Sequence, residues 1–79
     1  MRIVDAARVH GIADEDMLHA VRTAITGFER GELMMLIGAA RDGTLLEAGI
    51  LGAGSDDPVI VHAMKLRARF YKYLPSGGW

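Results

Sequence analysis

The sequence predicts an α+β fold in which N-terminal helices pack on a three-stranded antiparallel meander, with a fourth strand as the alternative, and a short basic C-terminal helix follows. Three observations support it. Apolar residues near the N-terminus recur at helical spacing, an Asp-Gly pair divides two apolar runs, and a β-branched run follows a glycine-rich loop. The 79 residues suffice for one small domain, expected at residues 1–74, with residues 75–79 as a flexible tail.

Two helices are predicted before the sheet. The first is short, beginning near Ile3 and ending near His10, where Gly11 provides a helix stop. The second is expected from Asp14 to Glu29, with Asp14 as its cap and acidic residues in its first turn. Its apolar positions recur at helical spacing and are Met17, Leu18, Val21, Ile25 and Phe28.

Three strands are expected to form the meander. The apolar run at residues 33–37 is too short for a buried helix, so it is interpreted as a strand. Asp42-Gly43 then favours a tight two-residue hairpin turn, because this pair tolerates positive φ angles, and the second strand follows at residues 44–51. The third strand is the β-branched run at residues 58–64.

Charge is unevenly distributed along the chain. All ten acidic residues and five arginines lie within residues 1–60, whereas the remainder carries four cations and no acid. These cations alternate with aromatic residues, a mixture that suits a phosphate backbone with stacked bases or an acidic protein partner. The four cations are Lys65, Arg67, Arg69 and Lys72.

The basic segment is predicted to form a short amphipathic helix. Its apolar stripe consists of Leu66, Phe70, Tyr73 and Leu74. A cationic stripe, about 100° away, consists of Lys65, Arg69 and Lys72, with Arg67 and Tyr71 on the opposite flank. We expect the apolar stripe to anchor the helix and the cationic stripe to face outward.

A simpler interpretation of the basic segment remains open. Its cations can form a solvated face or internal salt bridges with Asp56, Asp57 or Glu47. Glu47 lies between apolar residues of a predicted strand and is expected to point to solvent. Pairing of Glu47 with a basic residue of the C-terminal helix is the alternative.

Six short segments resemble one known family. They are His10-Gly11-Ile12, Glu15-Asp16-Met17-Leu18-His19-Ala20-Val21, Met35-Leu36-Ile37-Gly38, Asp42-Gly43-Thr44-Leu45-Leu46-Glu47, Val59-Ile60-Val61-His62-Ala63-Met64 and Arg69-Phe70-Tyr71. Over residues 8–74 the chain resembles the BrnT-type toxins of the RelE-like superfamily. The resemblance implies a ribonuclease toxin of a bacterial type II toxin–antitoxin system, with RNA and a cognate antitoxin protein as partners.

Metal-independent cleavage of RNA requires deprotonation of a 2′-hydroxyl, stabilisation of transition-state charge and protonation of the leaving 5′-oxygen. Arg67 and Arg69 are expected to stabilise the charge, because guanidinium donors fit phosphate oxygens. His62 is the expected general base or acid, and Tyr71 is expected to stack on a base or donate a proton. The predicted catalytic residues are therefore His62, Arg67, Arg69 and Tyr71, and the predicted RNA-binding residues are Lys65 and Lys72.

Two further hypotheses come from other functional classes. In the family, the third strand typically ends in a Ser-Ala-Arg-like turn, and Met64 stands where the arginine is expected. This departure favours a non-catalytic interaction module of the same fold that binds an acidic protein partner. A structural or regulatory domain that dimerises through a sheet edge is the third hypothesis. The expected assembly is a homodimer or a hetero-oligomer with the antitoxin.

The composition also bears on location and cofactors. The chain start lacks the apolar core of a signal peptide, and no run approaches the roughly 20 apolar residues that span a bilayer. We therefore expect a cytoplasmic protein with no membrane partner. The chain has no cysteine, and His10 and His19 lie on different predicted elements, so no metal site and no cofactor are expected.

Overall fold

A computed structural model describes residues 1–76, so Gly77, Gly78 and Trp79 of the predicted tail lie outside the described residues. The described chain has an α+β fold with a five-stranded mixed sheet. The strands are β1 (Arg2–Ile3), β2 (Thr26–Arg30), β3 (Leu33–Ala39), β4 (Leu45–Leu51) and β5 (Val59–Lys65). The helical elements are an N-terminal 3₁₀ helix (Asp5–Arg8), α1 (Asp14–Arg22) and a C-terminal 3₁₀ helix (Ala68–Tyr73).

The strand order across the sheet is β1-β5-β4-β3-β2. Strands β2 to β5 pair consecutively as an antiparallel meander, and β1 pairs in parallel with β5. The sheet therefore has two more strands than the predicted three-stranded meander. The two strands it lacks, β1 and β2, lie in segments that were predicted to be helical.

The predicted N-terminal helix is mostly replaced by β1 and a single 3₁₀ turn. The first residues are extended because they add to β5: Arg2 N donates to Pro58 O at 3.4 Å and Val4 N donates to Ile60 O at 3.2 Å. The 3₁₀ helix that follows buries Ala7 completely. It packs along β5 and carries the chain to α1.

Helix α1 ends at Arg22, well before the predicted end at Glu29. Thr23 closes it, since both its backbone N and its Oγ1 donate to the carbonyl of His19. The residues after it form β2 because they pair with β3 through a two-residue turn in which Gly31 has a φ of 60°. A glycine with positive φ at the first central position is characteristic of such hairpins. Asp14 is also not the helix cap; it accepts two hydrogen bonds from Arg8.

The predicted hairpin around Asp42-Gly43 is confirmed, but its turn is longer than two residues. Ala40 N donates to Thr44 O at 2.7 Å and Gly43 N donates to Ala40 O at 2.9 Å, which closes a three-residue loop. Asp42 Oδ1 accepts a hydrogen bond from Thr44 N at 2.9 Å. Strands β3, β4 and β5 agree with the first, second and third predicted strands, respectively.

One face of the sheet packs against α1 and the N-terminal 3₁₀ helix. One buried cluster on this side consists of Ala7, Met17, Ile50, Ile60 and Ala63. Gly38 brings α1 into direct contact with β3, because a Cβ at this position would overlap the carbonyl group of Ala20. A β-bulge at Val61, between the pairs Gly49–His62 and Ile50–Ile60, turns Ile60 toward this core.

The opposite face of the sheet is partly covered by the C-terminal 3₁₀ helix. Phe70 is 2% exposed and lies 5.1 Å from the ring of Phe28, and Tyr73 stacks on Phe28 at 3.7 Å. The predicted amphipathic helix is shortened to a six-residue 3₁₀ segment, and Lys65 of its predicted cationic stripe belongs to β5 instead. Because this helix has three residues per turn, Phe70 and Tyr73 share its inner side. Leu74 is extended, as expected before Pro75.

Within residues 1–76, no helix is long and apolar enough to cross a membrane.

Candidate functional site

An open concavity lies on the sheet face that the C-terminal 3₁₀ helix only partly covers. Its floor follows a row of paired residues across three strands, Met35 on β3, Gly49 on β4 and His62 on β5. Gly49 creates the space, since a Cβ there would lie 3.2 Å from Met35 Sδ, His62 Cβ and Leu33 Cδ1. The concavity has a volume of about 310 Å³. Its lining residues are Arg30, Leu33, Met35, Val61, His62 and Arg67.

A buried carboxylate joins two of these lining residues. The side chain of Glu47 on β4 is 0% exposed and accepts hydrogen bonds from both His62 and Arg67. His62 Nε2 lies 3.0 Å from Oε2. Arg67 contributes its backbone N at 3.0 Å from Oε1, Nε at 3.1 Å from Oε1, and Nη2 at 2.7 Å from Oε2. Together these groups satisfy both carboxylate oxygens, so the buried charge is compensated.

These contacts decide the protonation state of Glu47. Burial alone would raise the pKa of this carboxyl, but the hydrogen bonds from Arg67 and His62 outweigh burial and hold its pKa below the ordinary value. The same carboxylate raises the pKa of the Arg67 guanidinium. Glu47 is therefore an ionised carboxylate at neutral pH.

The ionised carboxylate fixes the tautomer of His62. An ionised carboxylate only accepts hydrogen bonds, so the imidazole must donate from Nε2. In the neutral ring, Nδ1 then carries the lone pair and is the nitrogen that can accept a proton. The side chain of His62 is 26% exposed.

Three guanidinium groups surround the ring of Phe70 next to the concavity. Arg30, Arg67 and Arg69 lie 5.3, 5.1 and 5.2 Å from the ring centroid, a distance typical of cation–π contacts. Within residues 1–76, Arg30 and Arg69 form no salt bridge. Only Arg67 is neutralised, by Glu47, so this cluster keeps a net positive charge suited to an anionic ligand.

A second imidazole, that of His10, packs against the His62 ring. The ring centroids of His10 and His62 are 5.9 Å apart, and the ring planes meet at 80°. His10 is exposed and follows the N-terminal 3₁₀ helix. Its position depends on that helix, which packs on β5 through the buried Ala7.

The predicted site residues fall into two groups. His62, Arg67 and Arg69 lie around Glu47 and Phe70, whereas Lys65 and Tyr71 line a separate, more apolar concavity with Leu66 and Leu74. Tyr71 is 55% exposed. Lys72 lies apart from both, with its Nζ 5.5 Å from the ring centroid of Tyr73.

Three residues of this site, Glu47, Arg30 and His10, are not among the site residues predicted from the sequence. Glu47 was expected to point to solvent, and the alternative, pairing with a basic residue of the C-terminal segment, is what the structure contains. The one sequence signal was an acid inside an apolar strand, Leu45-Leu46-Glu47-Ala48. Arg30 and His10 carry no such local signal, since they reach the site from distant segments of the chain.

Among residues 1–76, no three histidine, aspartate or glutamate side chains are grouped so as to hold a metal ion. No protein-family model, no curated protein and no solved structure matches this chain.

Proposed function

We propose that this chain is a metal-independent endoribonuclease and serves as the toxin of a bacterial type II toxin–antitoxin system. The observation that carries the ribonuclease activity is the cluster of His62, Glu47 and Arg67 beside an open, positively charged concavity. It combines an imidazole held by a buried carboxylate with fixed donors for a phosphate. The resemblance to BrnT-type toxins supports the toxin role.

His62 is the general base in this proposal. Glu47 holds its Nε2–H, so Nδ1 is free to take the proton from the 2′-hydroxyl of the substrate RNA. Glu47 orients the imidazole and stabilises the imidazolium that forms. In the same way, a buried carboxylate orients the catalytic histidine of the Ser-His-Asp triad.

The arginines stabilise the charge that develops on the phosphate. Arg67 uses Nε and Nη2 to bind Glu47, and among residues 1–76 its Nη1 has no hydrogen-bond partner. This nitrogen, together with the guanidinium groups of Arg30 and Arg69, is available for phosphate oxygens. Arg67 thereby serves both the carboxylate and the substrate.

The remaining residues of the basic segment bind RNA away from the reacting phosphate. Lys65 and Lys72 form no salt bridge within the described part of the chain, so their charge is available for backbone phosphates. Tyr71, at 55% exposure, offers a ring for base stacking. In the cell, a cognate antitoxin would cover this surface, and the cytoplasm is the compartment in which such a toxin meets RNA.

Induced expression in bacteria tests the proposal. Wild-type protein should slow growth and shorten cellular RNA, and the double substitution Arg30→Ala with Arg69→Ala should relieve both effects. Arg22→Ala is the matched control, because Arg22 is an exposed cation on α1, which packs on the other face of the sheet. If wild type and the double variant affect growth and RNA equally, the arginine cluster does not serve a ribonuclease.

A non-catalytic interaction module is the second candidate function. Arg67 already binds a carboxylate, so neighbouring unpaired cations can bind acidic side chains of a protein partner in the same manner. Met64, where the family pattern has arginine, points in the same direction. Under this alternative, the purified protein would bind an acidic partner with a strong salt dependence and leave RNA intact.

A further inference from the structure

The proposed reaction needs a second group that exchanges protons. As the 2′-oxygen attacks phosphorus, the 5′-oxygen leaves and must receive a proton, while His62 has just taken one. We infer that His10 is the general acid that protonates the leaving 5′-oxygen. This assignment rests on the proposed ribonuclease function and adds a catalytic residue to it.

The groups next to His62 leave few candidates for this role. Glu47 is ionised and fully buried, so it has no proton to give. Arg67 remains protonated at all accessible pH values, and its contact with Glu47 raises its pKa further. Tyr71 lines a different concavity. Among the described residues, His10 is the remaining titratable side chain for which a contact with His62 is seen.

The geometry around His10 suits a proton donor. Its ring is exposed and in edge contact with His62, at a centroid distance of 5.9 Å, and within residues 1–76 it forms no hydrogen bond that would fix its tautomer. The nearest acids on its own segment, Asp5 and Asp14, are both bound by Arg8. His10 can therefore carry its proton to a substrate oxygen rather than to a neighbouring carboxylate.

The step is balanced without any other reactant. His62 Nδ1 takes the 2′-hydroxyl proton, the 2′-oxygen forms a bond to phosphorus, and the bond between phosphorus and the 5′-oxygen breaks. His10 gives its proton to that 5′-oxygen. The products are a 2′,3′-cyclic phosphate and a 5′-hydroxyl end, with His62 protonated and His10 neutral, and exchange with water restores both rings.

A change of leaving group separates this role from any other. In a substrate whose scissile 5′-oxygen is replaced by sulfur, the leaving group is a 5′-thiolate, which needs no proton. On ordinary RNA, His10→Ala should cleave about a hundredfold more slowly than wild type, in line with the usual contribution of a general acid. On the sulfur substrate, His10→Ala should come within a few-fold of wild type, whereas His62→Ala should stay slow on both substrates.

The control variant is His19→Asn. The Nδ1 of His19 donates a hydrogen bond to the carbonyl of Ala39 at 2.7 Å, and an asparagine amide can replace that donor. It should cleave both substrates as wild type does. An equal defect of His10→Ala on both substrates, or no defect on either, would overturn the role of His10 while leaving the ribonuclease proposal intact. Failure of wild type to cleave either substrate would overturn the proposed function itself, and the assignment with it.

Discussion

The carboxylate of Glu47 and the guanidinium of Arg67 form a salt bridge across the sheet face, with Arg67 Nη2 2.7 Å from Oε2 of a glutamate side chain that is 0% exposed. Arg67 precedes the C-terminal 3₁₀ helix, so this pair also ties that helix to β4. The same carboxylate holds His62. One buried charge therefore links the stability of the C-terminal segment to the geometry of the candidate site.

Glu47→Gln should lower the free energy of unfolding by about 2 kcal/mol at neutral pH, because it weakens charged hydrogen bonds to a buried acceptor. The pKa of Glu47 is depressed from its ordinary value of 4.5, so its stabilisation is present above that pH and is lost as the pH falls further. The difference between wild type and Glu47→Gln should therefore shrink below pH 4.5. Denaturant unfolding across pH measures it, and a constant difference would show that the carboxylate charge is not what stabilises the fold.

Arg67→Met should destabilise the protein more than Glu47→Gln does. Removing Arg67 leaves a fully buried carboxylate without its cation, whereas removing the carboxylate leaves Arg67, whose side chain is 39% exposed, able to bind water. We expect a loss of about 3 kcal/mol or more in the free energy of unfolding at neutral pH. The double variant should recover part of it. Equal losses in the two single variants would contradict the burial of Glu47.

Gly38→Ala should destabilise the contact between α1 and β3. The added methyl group would overlap the backbone of Ala20, and backbone cannot move aside as a side chain can. We expect a loss of about 3 kcal/mol in the free energy of unfolding. Gly54→Ala is the control, since no atom lies within 4 Å of the added Cβ, and its effect should stay within about 0.5 kcal/mol.

Gly49→Ala should impair RNA cleavage while the protein still folds. The new Cβ would lie 3.2 Å from His62 Cβ, so the imidazole must move by a few tenths of an ångström and part of the concavity is filled. Because small displacements of catalytic groups slow reactions strongly, we expect cleavage to be about tenfold slower. Cleavage rates with circular dichroism as a folding check measure this. An unchanged rate in a folded variant would place the reaction elsewhere.

The parts of the fold that agree with the sequence prediction are those with local signals. Asp42-Gly43 lies in a hairpin loop, as its turn residues predict. The β-branched run after the glycine-rich loop forms a strand, as its branching predicts. Strand β2 was wrongly assigned to a helix because Ile25 and Phe28 fit helical spacing, while its real determinant is pairing with β3. Strand β1 has two residues and pairs with β5, and no local pattern carries that information.

In the candidate site too, residue types could be predicted from the sequence, whereas contacts between distant segments could not. The residue types of His62 and Arg67 pointed to phosphate chemistry from the sequence, and the structure brings both to Glu47. The orientation of Arg67 could not be predicted, because it was placed by the 3.6-residue period of an α-helix, whereas Arg67 is extended and precedes the C-terminal 3₁₀ helix. The contact of His10 with His62 joins residues that only the packing of the N-terminal 3₁₀ helix on β5 brings together.

Cleavage of RNA by the purified protein in the presence of a metal chelator tests the central claim most directly. Wild type should cut single-stranded RNA and leave 2′,3′-cyclic phosphate ends, His62→Ala should be at least a hundredfold slower, and Arg22→Ala should match wild type. Intact RNA after incubation with folded wild type, or cleavage by His62→Ala at the wild-type rate, would contradict the account.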